Sequence, residues 1–238
     1  MNEKLFKNGW DIYEADKLDS LIELRKKIYE KTKKTFSISE KNEEIGFNNF
    51  HKILSNLDET TLNEKKVSLI DEISKDENLV NLIYESLKSK ITNLLGKDLL
   101  VQKTINVVIQ KPGDQNPTIP HRDAPPNSFY EIVLWIPLVD CKDTKSMYLI
   151  DSEKTKKNLE ALEKNPEDWN TFMKSINKDK VFPNIKFGNV ILFLPYVYHG
   201  SDVNKTNETR FSLNIRFKGI FSPSGKKFPL QFFRIFKI

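Results

Sequence analysis

One cysteine, Cys141, in 238 residues leaves no partner for an intrachain disulfide. Long apolar runs are also missing. The longest, starting at Val190, covers about nine residues against the roughly 20 that a bilayer-spanning helix needs. The opening Met1-Asn2-Glu3-Lys4 is polar and lacks the apolar centre of a signal peptide. With the scarcity of cysteine, this leads us to expect a cytosolic protein with no membrane partner. Neither sign of charge is segregated: 38 basic and 33 acidic residues leave +5. The basic stretch Arg25-Lys26-Lys27 through Lys31, Lys33 and Lys34 has Glu23 and Glu30 among it. That pattern reads as a solvated helix face and not as a nucleic-acid surface. No glycine-rich or proline-rich linker divides the chain.

What is present fits one domain with a sizeable core. Sixteen phenylalanines lean toward strands in a packed sandwich or barrel. Leu18, Leu21, Ile22, Leu24 and Ile28 recur at helical spacing, as do Val67, Ile70 and Ile73, and then Leu82 through Leu95, with Gly96 as a C-cap. Residues 1–98 are therefore expected as a helical layer packed on the core, not an independent unit. His51, in that layer, reads as an ordinary interface residue.

Beyond Gly96 the periodicity shifts to strands, at 99–110, 131–139 and 146–150, then 190–194 and 210–217. Between them, 151–180 turns polar and helical. It is a candidate lid, with Trp169, Phe172 and Met173 as its inner face, or simply an anchored insertion. In the strand from Arg210, one face carries Phe211, Leu213, Ile215 and Phe217, and the other Arg210, Ser212, Asn214 and Arg216. A polar row of this kind suits a wet, functional interior. The Phe-rich tail 228–238 is expected to add an edge strand or dock across the core.

The chemistry concentrates in two short stretches, His121-Arg122-Asp123 and His199-Gly200-Ser201. Two residues apart in extended chain, His121 and Asp123 point the same way, and a third ligand must come from elsewhere. His199 is the candidate. Two imidazoles and a carboxylate on one side of a metal leave the other side open, as non-haem Fe(II) oxygenases require. Arg210, eleven residues after His199, offers a fork for a dicarboxylate co-substrate.

The order His121-x-Asp123, His199, Arg210 resembles the iron and 2-oxoglutarate dioxygenases. The text His199-Gly200-Ser201, Asn204, Thr206, Arg210-x-Ser212 is similar to their phytanoyl-CoA dioxygenase-like branch. Within it, Pro120-His121-Arg122-Asp123-Ala124-Pro125 and the stretch Tyr130 to Leu138 most resemble oxygenases of bacterial carbohydrate-biosynthesis clusters. The likeness runs over about residues 99–220.

It implies a mainly β fold with α: a double-stranded β-helix, or jelly-roll, over 99–238. It also implies Fe(II) held by His121, Asp123 and His199, and 2-oxoglutarate held by Arg210 with Ser212, O2 taking the last position. Trp135 and Gln110 would lie beside the co-substrate, and Arg122 and Arg216 would be open to substrate. Six strand residues place Arg216 roughly 20 Å from Arg210, so the two should differ in role. Related halogenases replace the carboxylate, so Asp123 favours hydroxylation or another oxidation that begins with hydrogen removal. Where the branch often carries Pro-Gly-Ser-His, this chain has Ile150-Asp151-Ser152-Glu153. The expected substrate is a small polar metabolite such as a sugar. Competing readings are a nucleic-acid or protein hydroxylase or demethylase, and a non-catalytic carbohydrate-binding jelly-roll.

Overall fold

The computed structural model describes residues 3–124, 128–224 and 229–237. Pro125, in the quoted motif, and Phe228 and Ile238, at the limits of the tail, lie outside them.

Helices form where apolar side chains return every three or four residues. The order is α1 (Glu3–Asn8), α2 (Leu18–Phe36), α3 (Glu43–Asn48), α4 (His51–Leu54), α5 (Glu59–Ser74), α6 (Glu77–Ser86) and α7 (Lys88–Leu95). In α2 the residues Leu21, Leu24, Ile28 and Phe36 are buried, and the helix ends at Ser37 in left-handed conformation. Asp58 starts α5 by accepting the Thr61 N–H at 2.9 Å. Val67, read with Ile70 and Ile73 as one apolar face, points to solvent instead. Gly96, at φ 82°, ends α7. No helix among the described residues is long and apolar enough to cross a membrane.

The stretch expected to be wholly helical also supplies a strand, β1 (Trp10–Glu14). Five residues between two helices are too short for alternation to declare itself, and pairing with a distant strand decides them. The other strands are β2 (Leu99–Gln102), β3 (Asn106–Gln110), β4 (Glu131–Pro137), β5 (Tyr148–Leu149), β6 (Asn189–Phe193), β7 (His199–Gly200), β8 (Arg210–Gly219) and β9 (Phe233–Phe236). The single strand expected over 99–110 breaks in two. β2 and β3 lie end to end along one edge of β8, with Leu99 opposite Gly219 and Gln110 opposite Arg210. One antiparallel sheet runs β1-β6-β4-β8-β2-β9, with β3 beside β8. The tail does add the edge strand, β9. A smaller sheet pairs β5 with β7 and is widened by bridges from His121 to His199 and from Leu149 to Val181. Among the described residues the two sheets do not close into a barrel.

β8 divides the molecule. Its apolar face is fully buried under the helices, with the Phe211 ring centroid 4.4 Å from Phe47 and 5.7 Å from Phe50. On its polar face Arg210, Ser212 and Arg216 are buried and Asn214 is half-buried, and Arg210, Asn214 and Arg216 line a cavity between the sheets. Register with β4 brings Glu131, Val133 and Trp135 onto that inner face. The insertion forms α8 (Ser152–Lys164) and α9 (Trp169–Asp179) and packs on its own small core of Tyr148, Ile150, Phe172, Ile176 and Tyr198.

Phe211 joins the helical layer to the large sheet. Phe211→Ala is expected to lower stability by about 3–5 kcal/mol in urea unfolding. A loss below about 1 kcal/mol, within the scatter of surface changes, would mean that this contact does not hold the layer.

Candidate metal centre

His121 and His199 face each other across a reciprocal backbone bridge. The His121 N–H donates to the His199 carbonyl at 3.1 Å, and the His199 N–H returns to the His121 carbonyl at 3.0 Å. Their ring centroids are 4.2 Å apart. Each ring turns Nδ1 toward the carbonyl two residues earlier, of Ile119 at 2.9 Å and of Val197 at 3.1 Å. A proton on Nδ1 makes both bonds, which leaves each Nε2 as a lone-pair donor. Asp123 completes the group, and one ligand atom from each of the three lies within 4.8 Å of the others. The chain after Asp123 is tied down by the Ala124 N–H on the Pro195 carbonyl, at 2.8 Å.

The residues after His199 explain themselves. A Cβ on Gly200 would sit 2.7 Å from the Thr118 carbonyl and 2.5 Å from the Tyr148 hydroxyl, so only hydrogen fits. Ser201 exchanges two bonds with Thr118: its N–H donates to the carbonyl at 3.0 Å, and its hydroxyl accepts the Thr118 N–H at 2.9 Å. The loop to Arg210 is then pinned along its length. Gln110 Nε2 donates to the Asp202 carbonyl, Lys180 pairs with the Asp202 carboxylate at 2.6 Å, and Asn204 donates to the Glu208 carbonyl. Thr209 is held from the helical layer by Asn48 and by His51, which is an interface residue here and not a ligand.

The three ligand residues line a cavity of about 380 Å³ together with Trp135, Arg210 and Arg216. The two arginines differ in their partners. Arg216 forms an ion pair with Asp123, 2.7 Å from Nη2 to Oδ2, and donates Nη1 to Gln102. Arg210 has Nε and Nη1 buried without a hydrogen-bond partner, as is the hydroxyl of Ser212 on the same strand face. Burial pulls the Arg210 guanidinium down to about 10, the mark of a cation that lacks an anion. Burial also lowers His199 to about 4, helped by the charge of His121, so its imidazole is neutral at pH 7. At Asp123 burial acts most strongly and against ionisation, but Arg216 and the two imidazoles together outweigh it and hold the carboxyl below its ordinary range.

Not every expected site residue reaches the cavity. Gln110 spends its amide on the 202 carbonyl, Ser212 is buried beside Arg210 without lining the cavity, and Arg122 lies over the Tyr198 ring, 5.6 Å away, facing the insertion. No residue of the 151–180 insertion lines the cavity, and Trp169 is half exposed against Phe172. The anchored reading therefore describes the insertion better than a wall does. Ile70 of α5 lines the cavity instead. No motif or periodicity points to Gln102, while a carboxylate at the head of an otherwise apolar strand is the sequence signal for Glu131.

The family model for phytanoyl-CoA dioxygenase (PhyH) matches residues 12–212. The chain belongs to that family. PhyH membership makes it an Fe(II)- and 2-oxoglutarate-dependent oxygenase. Among curated proteins none matches. Solved structures share the fold, three of them as follows. A non-heme monooxygenase, ThoJ, solved as a nickel complex, is 14% identical with a TM-score of 0.53, over 94% of this chain and 78% of that one. AviO1 from Streptomyces viridochromogenes Tue57 is 15% identical with a TM-score of 0.53, over 93% and 94%. CytC3, solved with Fe(II) and alpha-ketoglutarate, is 12% identical with a TM-score of 0.52, over 90% and 74%.

Two outcomes follow for this PhyH protein. Gly200→Ala should cost about 1–3 kcal/mol through the clash with Thr118; an unchanged urea midpoint would contradict the close approach. The lowered His199 works in one direction. Above its unfolded value near 6.5 neither state is protonated, and as pH falls toward 4 only the unfolded chain takes the proton. Stability of the metal-free protein should therefore fall across that window, by an amount on the order of 3 kcal/mol. Urea unfolding of wild type and His199→Gln at several pH values tests this, since the variant should lack that part of the slope.

Proposed function

We propose that this PhyH oxygenase hydroxylates a small polar metabolite, a sugar or sugar derivative, in the cytosol. In this reading His121, Asp123 and His199 hold Fe(II), and Arg210 anchors 2-oxoglutarate by its distal carboxylate. The observation that carries it is a pair of complementary groups in one cavity. Three ligand atoms converge within 4.8 Å, and nearby the Arg210 guanidinium is buried with two unpaired nitrogens. A buried cation costs several kcal/mol unless an anion meets it, and a carboxylate fits the guanidinium fork. Arg216 is the weaker candidate for that task, because Asp123 and Gln102 already engage its two terminal nitrogens. The paired sheets, with His121 and His199 on the smaller one, support a double-stranded β-helix core on which 3–98 packs as part of one unit.

The residues divide the work. His121 and His199, each with Nδ1 committed to a backbone carbonyl, present Nε2 in a fixed orientation. Arg210 binds the dicarboxylate and orients it toward the triad, with Ser212 beside it on the same strand face. Trp135, buried on β4, and Ile70, across the cavity, keep water out. Bound Fe(II), with 2-oxoglutarate and O2, supplies oxidative decarboxylation to succinate and CO2 and the removal of hydrogen from a substrate C–H bond. The polar inner face of β8, through Asn214, supports a hydroxyl-rich substrate, and so does the text around His121 and Trp135.

Succinate formation from 2-oxoglutarate under air, with Fe(II) and ascorbate, tests the reading. Wild type should turn over, His199→Ala should not, and Arg210→Ala should need about a hundredfold more 2-oxoglutarate, as expected when one partner of a buried charge pair is removed. Sugars that are substrates should accelerate succinate release. No Fe(II)-dependent succinate, or equal turnover by His199→Ala, would overturn the assignment.

A further inference from the structure

Arg216 stands where the two sheets meet at the candidate metal centre. Its guanidinium has three carbonyl or carboxylate oxygens around it. Nη2 lies 2.7 Å from Asp123 Oδ2, Nη1 donates to Gln102 Oε1 at 3.0 Å, and Nε lies 4.0 Å from Glu131 Oε2. Gln102, Glu131 and Arg216 belong to β2, β4 and β8, and β8 is hydrogen-bonded to both of the others. Glu131 is fixed in turn by the Ser128 N–H on its other oxygen, at 2.9 Å. The guanidinium is thus built into the large sheet, while Asp123 sits on the chain beyond the small sheet's His121 bridge. The contact with Asp123 is a close ion pair that links the two sheets.

We propose that Arg216 is a positioning residue of the metal centre: it draws one carboxylate oxygen of Asp123 toward the large sheet and leaves the other as the single ligand oxygen. This rests on the reading of His121, Asp123 and His199 as metal ligands. Without Arg216 the carboxylate can rotate about two side-chain torsions, and it would meet a cation through either oxygen or both. The planar fork of arginine can hold Gln102 and Asp123 at once, whereas the point charge of a lysine cannot. Groups that orient a ligand in this way commonly set metal affinity by a factor of about 10–100. The same commitment keeps Arg216 from the co-substrate and gives the two arginines of β8 separate tasks.

The test is anaerobic titration of the metal-free protein with Co(II), followed by its visible spectrum, for wild type, Arg216→Met, Arg216→Lys and Gln102→Leu. Arg216→Met should bind Co(II) about 10–100-fold more weakly, with altered band intensities as the carboxylate changes its mode. Arg216→Lys should recover part of that loss, and Gln102→Leu should lose affinity several-fold. Variants that unfold earlier yet bind Co(II) with wild-type affinity and spectrum would reduce Arg216 to a structural ion pair and overturn the proposal. If Arg216→Met does not fold, Gln102→Leu decides: unchanged affinity overturns the proposal, and a several-fold loss upholds it. Failure of wild type itself to bind Co(II) would remove the metal-site reading and this proposal with it.

Discussion

The reciprocal hydrogen bonds between His121 and His199 are the constraint on which the site depends. Two backbone bonds of 3.0 and 3.1 Å set residues far apart in sequence directly opposite each other, so both rings rise from one side of the small sheet. Side chains alone would hold such a pair loosely. Here the backbone sets the spacing, and a carbonyl two residues upstream sets each ring's rotation. The neighbouring residues serve the same bridge. Gly200 allows the close approach of Thr118, Ser201 locks the next pair, and Ala124 ties the chain that carries Asp123.

The second constraint is electrostatic. β8 turns Arg210, Arg216 and Lys218 inward, all nearly inaccessible to water. A row of buried cations is unfavourable unless each finds an acceptor. Arg216 finds Asp123 and Gln102, and Lys218 finds the Pro223 carbonyl and the Ser224 hydroxyl. Arg210 does not find a carboxylate. Because the other two are provided for, the unmet demand of Arg210 points to a ligand more than to poor packing. Glu131 belongs to the same balance. Its burial raises its pKa, and the Ser128 N–H, Arg216 and Lys218 offset this only in part.

Much of this was legible in the residues. Alternation along Arg210 to Phe217 separated an apolar face from a polar one, and the structure buries the first wholly and the second except for half-buried Asn214. The pairing of His121 with Asp123 follows from strand alternation, which periodicity reports, whereas the step from His199 to Arg210 crosses a loop between two sheets and was legible only through the resemblance of the text around it. What could not be read depends on long-range register. Trp10–Glu14 is a strand because β6 offers an edge to it, and 99–110 breaks because the chain from Val101 to Asn106 is longer than the Phe217 to Asn214 stretch of β8 that it faces. The link from Asp123 to Arg216 joins two sheets whose relative placement no spacing encodes. Ile70 reaches the cavity through helix packing of the same non-local kind, while the insertion's aromatics gather on Tyr198.

The central claim is that one chain holds one divalent iron through His121, Asp123 and His199 in a cavity that also receives a dicarboxylate. Anaerobic equilibrium dialysis against Fe(II), with and without 2-oxoglutarate, tests it most directly. One iron per chain is expected, retained more tightly when 2-oxoglutarate is present and lost in Asp123→Ala. No retained iron, or retention that Asp123→Ala leaves unchanged, would contradict the account.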